Sequence, residues 1–262
     1  MNNLIDIGAN LTHKDFSNDL DRVLNEARKE NICKMIVTGV NEEGSIEASK
    51  LSKKYNSFLY STAGVHPHHA NEYSDSVENV LRKLIKEKHV VAVGECGLDY
   101  YRNYSSPENQ KNAFISQINI ANESKLPLFM HQRDAHEDFE KILQANIHKI
   151  HHGVVHCFTG TEDMLISYLD MGFYIGITGW ICDERRGLSL QKIVQNIPLN
   201  RLLVETDCPY LLPRTLGSKP KNRRNEPKYL TEIVKMISNQ TTYTQSEIAE
   251  ATYNNSIKLF KL

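Results

Sequence analysis

Apolar, β-branched runs alternate along the chain with segments of helical periodicity, and this alternation restricts the fold more than any other feature. Residues 4–7, 34–37, 58–63, 90–93, 127–130, 154–155, 173–177 and 202–204 read as eight buried strands. A helix carrying Leu20, Val23, Leu24 and Ala27 follows the first, and helical patterning fills 42–54, 77–87, 107–123, 135–144, 161–171 and 189–196. Strands separated by helices pair in parallel through right-handed crossovers, and eight such units close into a ring. The expected fold is therefore α/β, a (β/α)8 TIM barrel. An open doubly wound sheet is the alternative, but no strand leads into a Gly-x-Gly-x-x-Gly turn. Helices over 229–238 and 244–261 complete the chain and are expected to cover the barrel. With 8 prolines and 13 glycines among 262 residues there is no long linker, so 1–262 reads as one domain.

Four of the apolar runs end in groups with chemistry. Val90-Val91-Ala92-Val93-Gly94 delivers Glu95, the fifth strand delivers His131, the sixth His156, and the eighth Glu205-Thr206-Asp207. A barrel gathers the C-terminal ends of its strands on one face, so residues this far apart in sequence can share a pocket. Carboxylates with neutral imidazoles suit Mg²⁺, Mn²⁺ or Zn²⁺, and the lack of thiolate spacing favours an open catalytic site over a closed structural one. Glu95, His131, His156 and Asp207 are the expected metal ligands. Asp207 is the candidate for orienting or deprotonating a water, which implies hydrolysis. Glu95 could instead pair with Arg133, and Glu205 could anchor the end of its strand. Cys96, Cys157 and Cys208 each follow one of these residues, and strand alternation would point them away from it, into packing.

His66, in Val65-His66-Pro67-His68-His69, follows the third strand and is placed to donate a hydrogen bond or proton to a phosphate. His68 and His69 read as solvated. The loops after strands seven and eight carry Arg185, Arg186, Arg214, Lys219, Lys221, Arg223 and Arg224, and loops in those positions often build phosphate sites. Tyr100, Tyr101, Tyr104, Phe158 and Trp180 offer faces on which bases can stack. Any attraction for a polyanion must be local, because 31 Lys+Arg against 32 Asp+Glu give a formal charge of -1. Five scattered cysteines without Cys-x-x-Cys spacing argue for a reducing compartment. With no leader-like N-terminus and no membrane-length apolar run, a cytoplasmic monomer is expected.

The chain resembles the TatD-type metal-dependent deoxyribonucleases of the amidohydrolase-like barrels over essentially its whole length. The resemblance rests on Ser61-Thr62-Ala63-Gly64-Val65-His66-Pro67-His68, Gly94-Glu95-Cys96-Gly97-Leu98-Asp99-Tyr100, Phe129-Met130-His131-Gln132-Arg133-Asp134-Ala135 and Val155-His156-Cys157-Phe158-Thr159-Gly160. It continues in Tyr174-Ile175-Gly176-Ile177-Thr178-Gly179-Trp180, Glu205-Thr206-Asp207-Cys208-Pro209-Tyr210-Leu211 and Arg223-Arg224-Asn225-Glu226-Pro227. It implies a Mg²⁺-dependent nuclease, a 3′-5′ exonuclease acting on single-stranded DNA or RNA, in DNA repair or turnover. It further implies that Asp207, Glu95 and His66 act in catalysis and that His66, Arg133, Arg224 and Asn225 bind substrate. The alternative within the same chemistry is a D-aminoacyl-tRNA deacylase or another ester or amide hydrolase. The wider family carries His-x-His on its first strand, where this chain has Gly8 and Asn10. That departure resembles the TatD subgroup proper and implies one firm metal, with a second recruited by substrate phosphate.

Overall fold

The computed structural model describes residues 2–262, with Met1 of the N-terminal reading outside them. Eight parallel strands run in chain order: β1 Leu4–Ala9, β2 Ile32–Val37, β3 Leu59–Ala63, β4 Val90–Asp99, β5 Leu128–Arg133, β6 Gly153–Val155, β7 Tyr174–Ile177 and β8 Leu202–Val204. The intervening helices are α1 Leu20–Lys29, α2 Glu42–Lys54, α3 Asp75–Leu84, α4 Pro107–Ser124, α5 His136–Asn146, α6 Glu162–Asp170 and α7 Leu188–Ile193. Two more, α8 Leu230–Gln240 and α9 Gln245–Phe260, follow the last strand. The expected (β/α)8 barrel is the fold observed.

Side-chain alternation divides the core. Ile5, Ile7, Ile36, Val91, Phe129, Val154, Tyr174 and Leu203 point inward and fill the barrel, joined by Leu259 and Phe260 of α9. The opposite faces of the strands pack against the helices in a larger cluster that includes Val23, Leu24, Phe114, Phe139 and Tyr168. Strands buried on both faces are the reason the sequence shows apolar runs in place of alternation.

Two strands run further than their apolar runs. β4 continues through Glu95 to Asp99 and β5 through His131 to Arg133, with Gly97 opposite His131 and Asp99 opposite Arg133. Glu95 and His131 therefore sit within strands, where main-chain pairing holds them, and not in loops beyond. The approach is close: a Cβ on Gly94, whose φ is 145°, would overlap the Phe129 carbonyl. The expected helix over 189–196 is shorter, α7 giving way to a 3-10 turn at Val194–Asn196.

The ring closes through polar groups. Asp207 N–H donates to Gly8 O at 2.8 Å, Asn10 N–H to Cys208 O at 2.8 Å, and Ala9 and Cys208 form a parallel bridge. Beneath them the buried Asp6 carboxylate accepts from Thr206 N–H at 2.9 Å and Thr206 Oγ1 at 2.5 Å.

The segment after β8 is clamped to the start of α1. Arg224, expected to bind substrate, is instead 9% exposed and donates to Asp19 Oδ1 and Oδ2 at 3.0 and 2.7 Å, to Glu226 Oε1 at 2.7 Å and to the Asp15 carbonyl. Asn225, expected in the same role, is fully buried and spans Thr206 O at 2.9 Å and Glu226 N–H at 3.0 Å. Both terminal nitrogens of Arg224 are engaged inside the fold, chiefly by Asp15 and Asp19 about two hundred residues away in sequence, and only its buried Nε lacks a partner among the described residues.

Hydrogen bonds from Arg224 lead the effects holding the Asp19 carboxyl at about 2, below its ordinary 3.8. A carboxyl depressed by folding stabilises the protein fully above its unfolded pKa, and that contribution is lost as pH falls through the folded one. Arg224→Ala is expected to lose about 2 kcal/mol at pH 7 in urea unfolding, and the gap to the parent should narrow between about pH 4 and pH 2. A gap that is constant with pH would show that the clamp acts by packing alone.

Candidate active site

Asn10, Thr38, His66, Glu95, His131, His156 and Asp207, from seven of the eight strands or the residues just after them, line one cavity of about 420 Å³ at the C-terminal face of the barrel. At its floor the Glu95 carboxylate is surrounded by imidazoles. His156 Nε2 lies 2.7 Å from Glu95 Oε1, His131 Nδ1 3.0 Å and His66 Nε2 3.3 Å. Burial would raise the Glu95 carboxyl, but its electrostatic interactions with His156 and then His66, and the hydrogen bonds of His131 and His156, outweigh it and hold it well below the ordinary range. His156 answers in kind: burial opposes its charge, yet Glu95 and Glu205 raise its pKa well above the usual value.

The expected carboxylate partner Arg133 is not beside Glu95; its guanidinium covers the Tyr101 ring at 3.8 Å. Asp207 lines the same cavity and accepts from Asn10 Nδ2 at 2.9 Å. Its carboxyl is raised to about 7, by burial first and by Glu95 and Glu205 in addition, with His156 and Asn10 opposing.

Each imidazole is oriented from behind. His66 Nδ1 accepts the His68 N–H at 3.0 Å, which leaves the ring proton of the neutral form on Nε2, facing the cavity. Burial keeps this ring neutral by lowering its pKa to about 4. His131 Nε2 lies 3.1 Å from Asp99 Oδ2, and His68 Nε2 lies 3.0 Å from the same oxygen. His156 Nδ1 lies 3.3 Å from Glu205 Oε2, while Glu205 Oε1 accepts the Cys157 N–H at 2.6 Å. His68 thus belongs to the site and is not simply solvated, and His69 also lines the cavity, with Nδ1 3.4 Å from Glu72 Oε1. Asp99 escapes a reading of the sequence because the apolar run of β4 stops at Val93; drawn on, alternation puts residues 95, 97 and 99 on one face.

Two further expectations change here. Cys96 and Cys208 are buried in packing as expected, but Cys157 lines the cavity, with Sγ 3.6 Å from Thr178 Oγ1. Its φ of 46° takes it out of the extended conformation, so strand alternation does not govern its direction. Glu205 is the other. It is fully buried inside the ring, and a Cβ at either Gly8 or Gly176 would overlap its carboxylate. The first strand carries glycine at position 8 because Glu205 occupies the space a side chain there would need.

Ligand atoms of His66, Glu95 and His131 lie within 4.8 Å of one another, with His156 against the same Glu95 oxygen. This oxygen-and-imidazole donor set fits a divalent cation.

A family model described as TatD related DNase matches residues 5–261. The chain belongs to the TatD family. It is 46% identical over 259 residues to the 3'-5' ssDNA/RNA exonuclease TatD of Pantoea ananatis, covering 99% of this chain and 100% of that one. It is 45% identical over 259 residues to the Yersinia pseudotuberculosis protein of the same name, with the same coverage. Among solved structures, the TatD homologue of Escherichia coli K12 superposes with a TM-score of 0.89 at 27% identity, covering 99% of this chain and 98% of that one. A TatD family hydrolase of Entamoeba histolytica gives 0.89 at 30% identity with the same coverage. TatD family members are metal-dependent, in keeping with the donor set around Glu95.

Gly8→Ala tests the Glu205 wedge. Its methyl would displace Glu205 from His156, and Mn²⁺ affinity by calorimetry is expected to fall roughly 10–100-fold with the fold retained by circular dichroism. Unchanged affinity would show that Glu205 does not govern how His156 is presented.

Proposed function

We propose that this chain is a divalent-metal-dependent exonuclease that removes nucleotides from the 3′ ends of single-stranded DNA or RNA, with Mg²⁺ as its ion. The observation that carries this reading is the convergence of Glu95, three imidazoles and Asp207 in one cavity, in a chain nearly half identical to proteins named 3'-5' ssDNA/RNA exonuclease. At about 420 Å³ the cavity is the size of a small-ligand site, suited to one terminal nucleotide unit and too small for a duplex. The five free cysteines suit the reducing cytoplasm. No helix among the described residues is long and apolar enough to cross a membrane.

Glu95, His131 and His156 would hold the ion, with Asp207 at the edge of the set. When bound, the ion supplies Lewis-acid stabilisation of charge on a phosphoryl oxygen. The remaining roles follow from the side chains. Asn10 engages one oxygen of Asp207, which leaves the other to take a proton from an attacking water. His66, held neutral with its proton on Nε2, donates to a non-bridging phosphate oxygen. Asp99 and Glu205 keep His131 and His156 turned inward.

End-labelled single-stranded DNA and RNA, incubated with Mg²⁺, with Zn²⁺ and with chelator, provide the test. Stepwise Mg²⁺-dependent shortening from the 3′ end is expected, slower by at least about 100-fold in Asp207→Ala. Shortening at the parental rate in that variant would overturn the assignment of Asp207. Intact chains, together with amino acid released from a D-aminoacyl-tRNA, would overturn the nuclease reading.

A further inference from the structure

A second and larger depression, of about 1320 Å³, lies against the catalytic cavity. The two share strand ends: His131 lines one and Gln132 and Arg133 the other, while His156 and Cys157 line one and Phe158 the other. Its walls hold two flat guanidinium–aromatic pairs. The Arg133 guanidinium sits 3.8 Å over the ring of Tyr101, which is 57% exposed, and that of Arg186 sits 4.4 Å over Trp180. Arg186 is held in its plane by Asp183, whose Oδ2 accepts from Nε and Nη2 at 3.1 Å each, and Trp180 Nε1 donates to the Arg186 carbonyl at 3.2 Å.

The groove carries acids as well as cations, with Asp134, Glu137, Asp138 and Glu162 beside Arg133, Arg186 and Lys192, but two of its cations are uncommitted. Neither Arg133 nor Lys192 makes an ion pair among the described residues. Three of the four acids of the same wall have partners within the protein: Asp138 accepts from Tyr100 Oη at 2.8 Å and pairs with Lys111 at 3.4 Å, Glu137 pairs with Lys141 at 4.0 Å, and Glu162 accepts from Asn196 Nδ2 at 2.7 Å, while Asp134 is exposed. Glu137, Asp138 and Glu162 also lie in the first turns of α5 and α6, where the helix dipole compensates negative charge.

We propose that this groove is the track for the body of a single-stranded nucleic acid whose 3′ end occupies the catalytic cavity. Resting on the exonuclease reading, the assignment adds where the rest of the strand lies. Bases stack on the Tyr101–Arg133 and Trp180–Arg186 platforms, and the backbone phosphates run past Arg133 and Lys192. Stacking takes any base because every base has a flat π-face, so the track binds without sequence preference. Two platforms also make binding depend on strand length, since a strand that engages both binds more tightly than one that engages one.

Trp180 is the chain's single tryptophan and reports on the track directly. With Mg²⁺ present, a phosphorothioate thymidine oligomer of twelve nucleotides should quench its fluorescence, and one of three should quench it far less. Arg133→Ala combined with Lys192→Ala should weaken binding of the twelve-nucleotide strand by about tenfold or more and flatten the dependence of log affinity on log salt by about 0.7 for each phosphate no longer neutralised. Trp180→Ala, followed by anisotropy of a labelled strand, should erase most of the affinity difference between the two lengths. Unquenched Trp180, or parental affinity and salt dependence in the double variant, would overturn the track. The two readings fail separately. Cleavage with no length-dependent quenching defeats the track alone, whereas length-dependent quenching without cleavage of an ordinary phosphodiester strand defeats the exonuclease and leaves the track standing.

Discussion

The seam between β1 and β8 is the contact on which the active site depends. β8 is regular for only three residues, and the chain then continues as Glu205-Thr206-Asp207-Cys208, a polar segment with no apolar reason to stay in the ring. Asp6 holds it there by accepting the backbone N–H and the hydroxyl of Thr206, and Gly8 O, Asn10 N–H and Cys208 O complete the pairing. A buried carboxylate is costly unless its oxygens are satisfied, and Asp6 is satisfied almost wholly by the seam. Because the seam closes, Glu205 faces into the barrel between Gly8 and Gly176 while Asp207 reaches the cavity beside Asn10.

From that seam the electrostatics of the site follow. Glu205 stands behind His156, and His156 stands against Glu95, so a buried negative charge on β8 is relayed through an imidazole to the carboxylate on β4. Asp99 does the same for His131 from the other side. His131 and His156 each lie between two carboxylates, which fixes the ring orientation and keeps the nitrogen facing Glu95 directed at one point. The absence of histidines at positions 8 and 10 is therefore compatible with a working site: the space beside Gly8 is filled by Glu205, just past β8.

Much of this is legible in the sequence, for a physical reason. Strands buried on both faces must be apolar, so the eight strands stand out, and a polar group ending such a run must be placed by it; Glu95, His131, His156 and Asp207 are found in that way and share one cavity. Features set by register or by distant partners are not legible. Glycines at 94 and 97 disguise the continuation of β4, and without that continuation, which pairing with β5 reveals, Asp99 reads as a loop residue. Arg224 looks like a loop cation seeking phosphate until Asp19, on another element, is seen to claim it. Cys157 leaves the strand pattern through a left-handed φ that local composition does not announce. Trp180 and Tyr101 can be recognised as stacking surfaces, but not as covered by Arg186 and Arg133 along one groove.

If the site works as described, one cation and one strand terminus meet at Glu95. A crystal grown with Mn²⁺ and a phosphorothioate single strand, with data collected at the manganese edge, tests this most directly. The predicted result is an anomalous peak bounded by Glu95, His131 and His156, with the last phosphate of the 3′ end between that peak and His66. A peak elsewhere, or a strand entering the cavity by its 5′ end, would contradict it.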